Sequence, residues 1–235
     1  MDRTLTYTVS IEESDLHADQ FLSRRGFSSH LLTRLRKNME HLLINGTPSR
    51  TNTPLHEDDI LTVHIVEEHS SYHVPPVKLP LSIVYEDEDI LVANKPAKMP
   101  IHPSMDNYYN SLANALAWYY RDSGNFIFRC TNRLDRDTSG LTVIAKNMLS
   151  SAILSDMAVR HAITREYLAI VRGVVTPASG TITAPLSRKP GSIIERCVDF
   201  EHGERAVTHY KTLETKNGHS LVSLQLETGR THQIR

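Results

Sequence analysis

The stretch that most constrains this chain runs from Thr131 to Lys146, TNRLDRDTSGLTVIAK. Arg133, Asp135, Arg136 and Asp137 fall within five residues, a charge density that a hydrophobic core rejects. Thr138, Ser139 and Gly140 follow, small residues suited to a tight turn, and then Leu141 to Ala145, the pattern of a largely buried strand. The stretch therefore predicts a charged turn set directly against a rigid strand. A carboxylate held in that way is positioned better than one on a free surface loop, which makes Asp135 the first candidate for chemistry. A solvated salt-bridge cluster is the competing reading of the same four charges, since surface ion pairs are common and weak.

The 235 residues suffice for one large or two modest domains with an ordinary core. With 40% hydrophobic and 23% charged residues the composition is that of a globular protein, and the net charge of -1 excludes a generally basic coat for nucleic acid. RNA binding stays open, because it depends on where the charge sits. Two cysteines, Cys130 and Cys197, are too few and too far apart for a disulfide framework and point to a reducing, cytoplasmic compartment; Cys130 is expected to be a buried structural thiol. No apolar run approaches membrane-spanning length, and the start MDRTLTYTVS lacks a signal-peptide core, so a soluble chain without a membrane partner is expected. His69 and His73 have helical ligand spacing, but prolines follow and no acidic residue that could assist a metal lies between them. With no zincin pattern, Gly-rich phosphate loop, dinucleotide fingerprint or Gly-x-Ser-x-Gly elbow either, neither a metal nor a nucleotide cofactor is expected.

Along the chain, Thr4 to Ser10 alternates as a short strand, and Ser28 or Ser29 is the expected N-cap of a helix running to about Asn38. Between Phe21 and Glu40 five basic residues, Arg24, Arg25, Arg34, Arg36 and Lys37, stand against one acid. A strand at Leu42 to Ile44 meets the turn signal Asn45-Gly46, and Ile60 to Val66 alternates again. Residues 67–80, broken by Ser70, Ser71, Pro75, Pro76 and Pro80, are expected to be a linker. From Leu81 onward a hairpin is predicted around Glu86 to Asp89, then a helix over Ser111 to Tyr120, a helix over Leu149 to Ile163, and strands at Tyr167 to Val171, Thr181 to Ala184, Ala206 to Leu213 and Leu221 to Leu226. Trp118 and its neighbouring tyrosines could stack on bases, although aromatic residues at helical spacing are more often core. Many antiparallel-looking strands with few helices predict an α+β fold with a mixed, mainly antiparallel sheet.

RLDRDTSGL, REYLAIVRG at Arg165 to Gly173 and LETGRTHQIR at Leu226 to Arg235 together resemble, in order, the three signature segments of the RluA family of RNA pseudouridine synthases. NKPAKMPIHPS at Asn94 to Ser104 is similar to that family's Asn-Lys-Pro segment. Two positions depart from it: Asn132 stands where the family usually has His, and Lys98 where it usually has Gly. Residues 14–66 resemble the small S4-like (alpha-L) RNA-binding module, so the expected organisation is that module, a linker over 67–80 and a catalytic domain over 81–235.

The resemblance implies an isomerase that breaks the glycosidic bond of a uridine within RNA, turns the base and rejoins it through carbon, without redox chemistry or cofactor. Positive character develops on the ribose as the base departs, which calls for an ionised carboxylate beside it. By resemblance this is Asp135, attacking the sugar or removing a ribose proton. Arg230 is implied as its cationic partner and Tyr167 as the residue stacking on the uracil and serving as a base when the C5 proton leaves. The target must be extruded from its stack; Arg133 resembles the residue that braces the vacated space, and Arg136 could contact phosphate. His232, Gln233 and Arg235 are expected to support the site. RNA is the implied partner, ribosomal RNA ahead of transfer RNA, with Arg24, Arg25, Arg34, Arg36 and Lys37 as phosphate contacts, and the protein is expected to act as a monomer. A noncatalytic RNA-binding protein or inactive fragment and an RNA N-glycosidase are the alternatives. Because THQIR looks like the first turn of a helix without a stop signal, the natural protein is expected to continue past Arg235.

Overall fold

The computed structural model divides into two compact units, Met1–Asp156 and Met157–Arg235. It describes residues 1–67, 69–71 and 73–235.

The first unit opens with β1 (Arg3–Thr8), whose alternation turns Leu5 and Tyr7 inward. α1 (Ala18–Arg24) and α2 (Ser29–Lys37) follow, then β2 (Leu42–Ile44), β3 (Thr47–Pro48) and β4 (Ile60–Ile65). The strand order is β1-β4-β2-β3. Ser28 caps α2 as expected, its Oγ accepting from the Leu31 amide at 3.3 Å, and Leu31, Leu32 and Leu35 are buried. Arg34, Arg36 and Lys37 in the last turn oppose the negative end of the helix dipole. Asn45 and Gly46 take φ of 52° and 76°, the left-handed turn that their sequence demands. β1 lies before the expected module boundary at Ser14, yet it pairs with β4 over six residues, Arg3↔Ile65 to Thr8↔Ile60, because β4 is apolar on alternate positions and needs a partner along that edge.

The same unit holds β5 (Ile83–Glu86), β6 (Ile90–Lys95), α3 (Leu112–Tyr119), β7 (Arg129–Cys130) and β8 (Gly140–Ala145). The sheet order is β5-β6-β8-β7. β6 pairs antiparallel with β8 from Ile90↔Ala145 to Lys95↔Gly140. Leu91, Ala93, Leu112, Leu116 and Ile144 form its fully buried centre, where each large aliphatic side chain contributes about 1.5–3 kcal/mol by leaving water. Within the expected linker Val74 and Leu79 pack on this core, as does Leu81 just beyond it, and Asn114 Nδ2 donates to Pro75 O at 2.8 Å. Prolines there end regular structure without loosening the chain. Glu68 and Tyr72, which fall in that segment, lie outside the described residues. Trp118 is half-buried under the Arg121 guanidinium, 4.5 Å from the ring centroid. α4 (Met148–Val159) brings Leu149 and Ile153 against the core built around Phe21 and Leu22. It stops four residues earlier than predicted.

The second unit is built on β9 (Glu166–Arg172), β10 (Ser179–Thr183), β13 (Val207–Lys216) and β14 (His219–Leu226) in the order β10-β13-β14-β9, with a hairpin of β11 (Leu186–Arg188) and β12 (Arg196–Val198). Every pairing among these strands is antiparallel. Asn217 and Gly218, at φ of 51° and 71°, make the two-residue turn between β13 and β14. Residues 231–234 form a turn in which Gln233 N donates to Arg230 O at 3.1 Å, where a first helical turn was expected. The fold is α+β with antiparallel sheets, as the pattern of elements predicted. Among the described residues no helix is long and apolar enough to cross a membrane.

Candidate active site

In the first unit, the turn at residues 131–139 is pinned to β8 at its start. Thr131 N donates to Val143 O at 2.9 Å; Asn132 Nδ2 donates to Leu141 O at 3.0 Å while its Oδ1 accepts from Val143 N at 2.8 Å. Asn132, the departure from the resembled pattern, thus fills two hydrogen-bonding positions of β8 that would otherwise lack a partner strand. At the other end Gly140 takes φ 131°, a conformation that only glycine enters freely, and the chain pivots there from turn to strand. Between these anchors Asp135 is half-buried, and its carbonyl accepts from Thr138 N at 3.1 Å. Arg136 and Asp137 pair with each other at 3.1 Å on the surface.

Beneath the turn lies a residue to which the sequence reading gave no role. Lys95 is fully buried, and its Nζ donates to three carbonyls: Met99 at 2.7 Å, Pro96 at 2.9 Å and Arg136 at 3.2 Å. Burial lowers the affinity of this amine for its proton, and the charges of Asp137 and Asp135 oppose that. The Asn-Lys-Pro segment was the available signal, but a lysine normally reads as solvated. The adjoining Lys98 has φ 67°, so the backbone keeps the left-handed turn although the usual glycine is absent. His102 packs edge-on against Phe128, ring centroids 5.0 Å apart; burial and the charge of Arg133 both hold its pKa below the ordinary value. Cys130, expected to be a buried structural thiol, is half-buried: its Sγ donates to Asn132 O at 2.9 Å, and burial pushes its pKa up to about 11.

The second unit carries the two other predicted residues. Tyr167 lies half-buried on β9, in register with Leu224 of β14. Arg230 follows β14 on an exposed loop; its Nε donates to Arg205 O at 3.0 Å and its guanidinium pairs with Glu204. Gln233 holds that loop: its Oε1 accepts from Arg230 N at 2.9 Å and from Thr228 Oγ1 at 2.9 Å, and its Nε2 donates to Val207 O at 3.1 Å. Gly229 leaves room for Arg165: a Cβ there would stand 2.5 Å from Arg165 Nη1, so a larger residue requires the arginine to shift. This contact joins the second and third of the sequence segments.

The basic residues of the first unit separate into two groups. Arg25 is held within the fold, pairing with Glu13 at 2.7 Å and lying 3.5 Å from the Phe21 ring centroid. Hydrogen bonding from Arg25 brings the Glu13 carboxyl down to about 2. Arg34 Nη2 donates to Val66 O at 3.3 Å, and Arg36 pairs with Asp19 at 2.9 Å while its Nε donates to Thr51 Oγ1 at 3.0 Å. Arg24 and Lys37 are exposed to solvent. Beside Arg36 a cleft of about 570 Å³ opens between α2 and residues 49–52, lined by Leu35, Met39 and Arg50.

The family profile described as RNA pseudouridylate synthase matches residues 89–235. The uncharacterized RNA pseudouridine synthase YjbO of Bacillus subtilis is 38% identical over 92% of this chain and 76% of its own length. Ribosomal large subunit pseudouridine synthase D of Escherichia coli K12 is 36% identical over 98% of this chain and 71% of its own. Among solved structures, human RNA pseudouridylate synthase domain containing 1 superposes with a TM-score of 0.55 at 29% identity, covering 68% of this chain and 65% of that one. Human RNA pseudouridylate synthase domain containing 4, at 23% identity and a TM-score of 0.54 over 66% of this chain and 62% of that one, shares the fold. The profile spans the turn of Asp135, the strand of Tyr167 and the loop of Arg230, and on that match the chain belongs to the RNA pseudouridylate synthase family, a family of isomerases.

Proposed function

We propose that this protein isomerises specific uridines of ribosomal RNA to pseudouridine, with Asp135 as the catalytic carboxylate and Tyr167 and Arg230 as its partners. The family match over residues 89–235 carries the reading, and the relative named ribosomal large subunit pseudouridine synthase D favours ribosomal RNA over transfer RNA. In this reaction the bond from C1′ to N1 breaks, the uracil turns, a bond from C1′ to C5 forms, the C5 proton departs and N1 gains a proton. Atoms and electrons balance within the nucleotide, so no cofactor is required. Asp135 meets the positive character of the ribose, and its half-buried turn, fixed by Lys95 and Asn132, keeps the carboxylate from relaxing away. Tyr167 stacks on the uracil and takes the C5 proton, and the Arg230 guanidinium offers a carboxylate two parallel donors. Arg133 braces the space left by the extruded base, and Arg136 contacts phosphate.

Residues 14–66 serve as an S4-like RNA-binding module, supported by the basic α2 and the exposed Arg24 and Lys37. The protein works in the cytoplasm, where its two unpaired cysteines fit a reducing environment, and acts as a monomer. Pseudouridine mapping of ribosomal RNA incubated with the purified protein tests the activity. Wild type is expected to modify discrete positions, and Asp135→Asn to bind the same RNA and modify none. Free uracil as product, or turnover by Asp135→Asn, would overturn the assignment.

A further inference from the structure

Thr181 and His209 face each other across the pairing of β10 with β13, and their side chains meet: Thr181 Oγ1 lies 2.8 Å from His209 Nδ1. The opposite ring nitrogen, Nε2, lies 2.8 Å from Glu227 Oε1, just past the end of β14. Glu227 uses its other oxygen to accept from Arg205 Nη2 at 2.7 Å, and the Arg205 carbonyl accepts from Arg230 Nε at 3.0 Å. A path of hydrogen bonds, continued through the covalent side chain of Arg205, therefore runs from the edge strand β10 through His209 to the loop that carries Arg230. We infer that His209 is a positioning residue for the isomerisation: by holding Glu227 against the sheet it sets the backbone of the Arg230 loop. The inference rests on the function proposed above.

The chemistry assigns the ring its roles. An ionised carboxylate only accepts, so Nε2 carries the proton toward Glu227, and Nδ1 is left to accept from the Thr181 hydroxyl in the neutral ring. This tautomer is assigned from the network. A half-exposed pair of this kind adds little to global stability, which agrees with a role in geometry. Gln233 restrains the loop from the side of Val207, whereas His209 restrains it through Glu227. Losing either restraint loosens the loop, and a misplacement of about 1 Å can cost an enzyme about a hundredfold in turnover.

The two amide substitutions separate positioning from mere folding. His209→Gln places an N–H donor where Nε2 stood and keeps Glu227 in place; His209→Asn can reach Thr181 but falls short of Glu227. On a ribosomal RNA transcript, His209→Asn is expected to lower kcat about tenfold with KM unchanged, and His209→Gln to stay close to wild type. Hydrogen exchange read on the same proteins should show faster exchange at residues 227–233 in His209→Asn than in His209→Gln. Equal losses in the two variants, an unchanged kcat in His209→Asn, or a change confined to KM would overturn the inference. A wild-type protein that forms no pseudouridine would instead sink the proposed function, and the exchange comparison would still decide whether His209 holds the loop.

Discussion

Lys95 Nζ reaches the carbonyl of Arg136 at 3.2 Å and thereby ties the end of β6 to the turn that bears Asp135. The two residues are 41 positions apart in sequence, and the ammonium between them is closed off from solvent.

Removing that ammonium leaves three carbonyls without their donor, that of Met99 buried and those of Pro96 and Arg136 partly so. Lys95→Met, similar in volume and apolar, is therefore expected to destabilise the first unit by on the order of 2–4 kcal/mol and to lower turnover further by loosening the turn. Chemical denaturation gives the stability change. A Lys95→Met variant as stable as wild type would show that the three contacts carry no net weight.

Arg25 and Lys37 are both basic, yet their surroundings predict opposite phenotypes. Arg25→Ala breaks the pair with Glu13 and uncovers the Phe21 ring, so thermal stability falls while RNA affinity changes little. Lys37→Ala is expected to leave stability alone and to reduce both RNA affinity and its salt dependence, by about one unit of slope. Titrations at two salt concentrations distinguish the two cases.

Glu86 accepts from Lys146 Nζ at 2.8 Å, from Tyr120 at 2.6 Å and from Tyr119 at 2.9 Å. Burial opposes its ionisation, but these donors outweigh burial and hold the carboxyl below its ordinary value of 4.5. A depressed carboxyl adds stability that is fully present above 4.5 and is lost as pH falls through the lower folded value. The melting-temperature gap between wild type and Glu86→Gln should accordingly be wide at neutral pH and close in acid. A gap independent of pH would mean that the charge of Glu86 contributes nothing.

Gly229→Ala puts a methyl group 2.5 Å from Arg165 Nη1, and the long arginine side chain moves aside. Its flexible end makes the stability cost modest, about 1 kcal/mol, while the contact between the strand of Tyr167 and the loop of Arg230 is lost. Turnover is expected to drop well beyond the stability loss, and shortening Arg165 in a protein that keeps Gly229 should lower it in the same way. Full activity in Gly229→Ala alone would show that this contact has no part in the reaction.

Local chemistry made much of this protein legible in its residues. Ser28 before an apolar helical run, Asn45-Gly46 between two short strands and the strand after Gly140 each act within a few positions, so their outcome does not depend on the rest of the chain. The order of charged turn, small residues and buried strand likewise made Asp135 the candidate, and the family profile covers that stretch. Tertiary structure alone decided which charges are spoken for. Arg25 looks like its basic neighbours until Glu13 and Phe21 close around it, and Lys95 looks like a surface lysine until three carbonyls converge on it. The placement of residues 73–80 and the path from Thr181 to Arg230 depend on strands brought together across long stretches of chain. Partners of that kind leave no period or spacing in the sequence, because a hydrogen bond formed on folding is specified by where the strands meet.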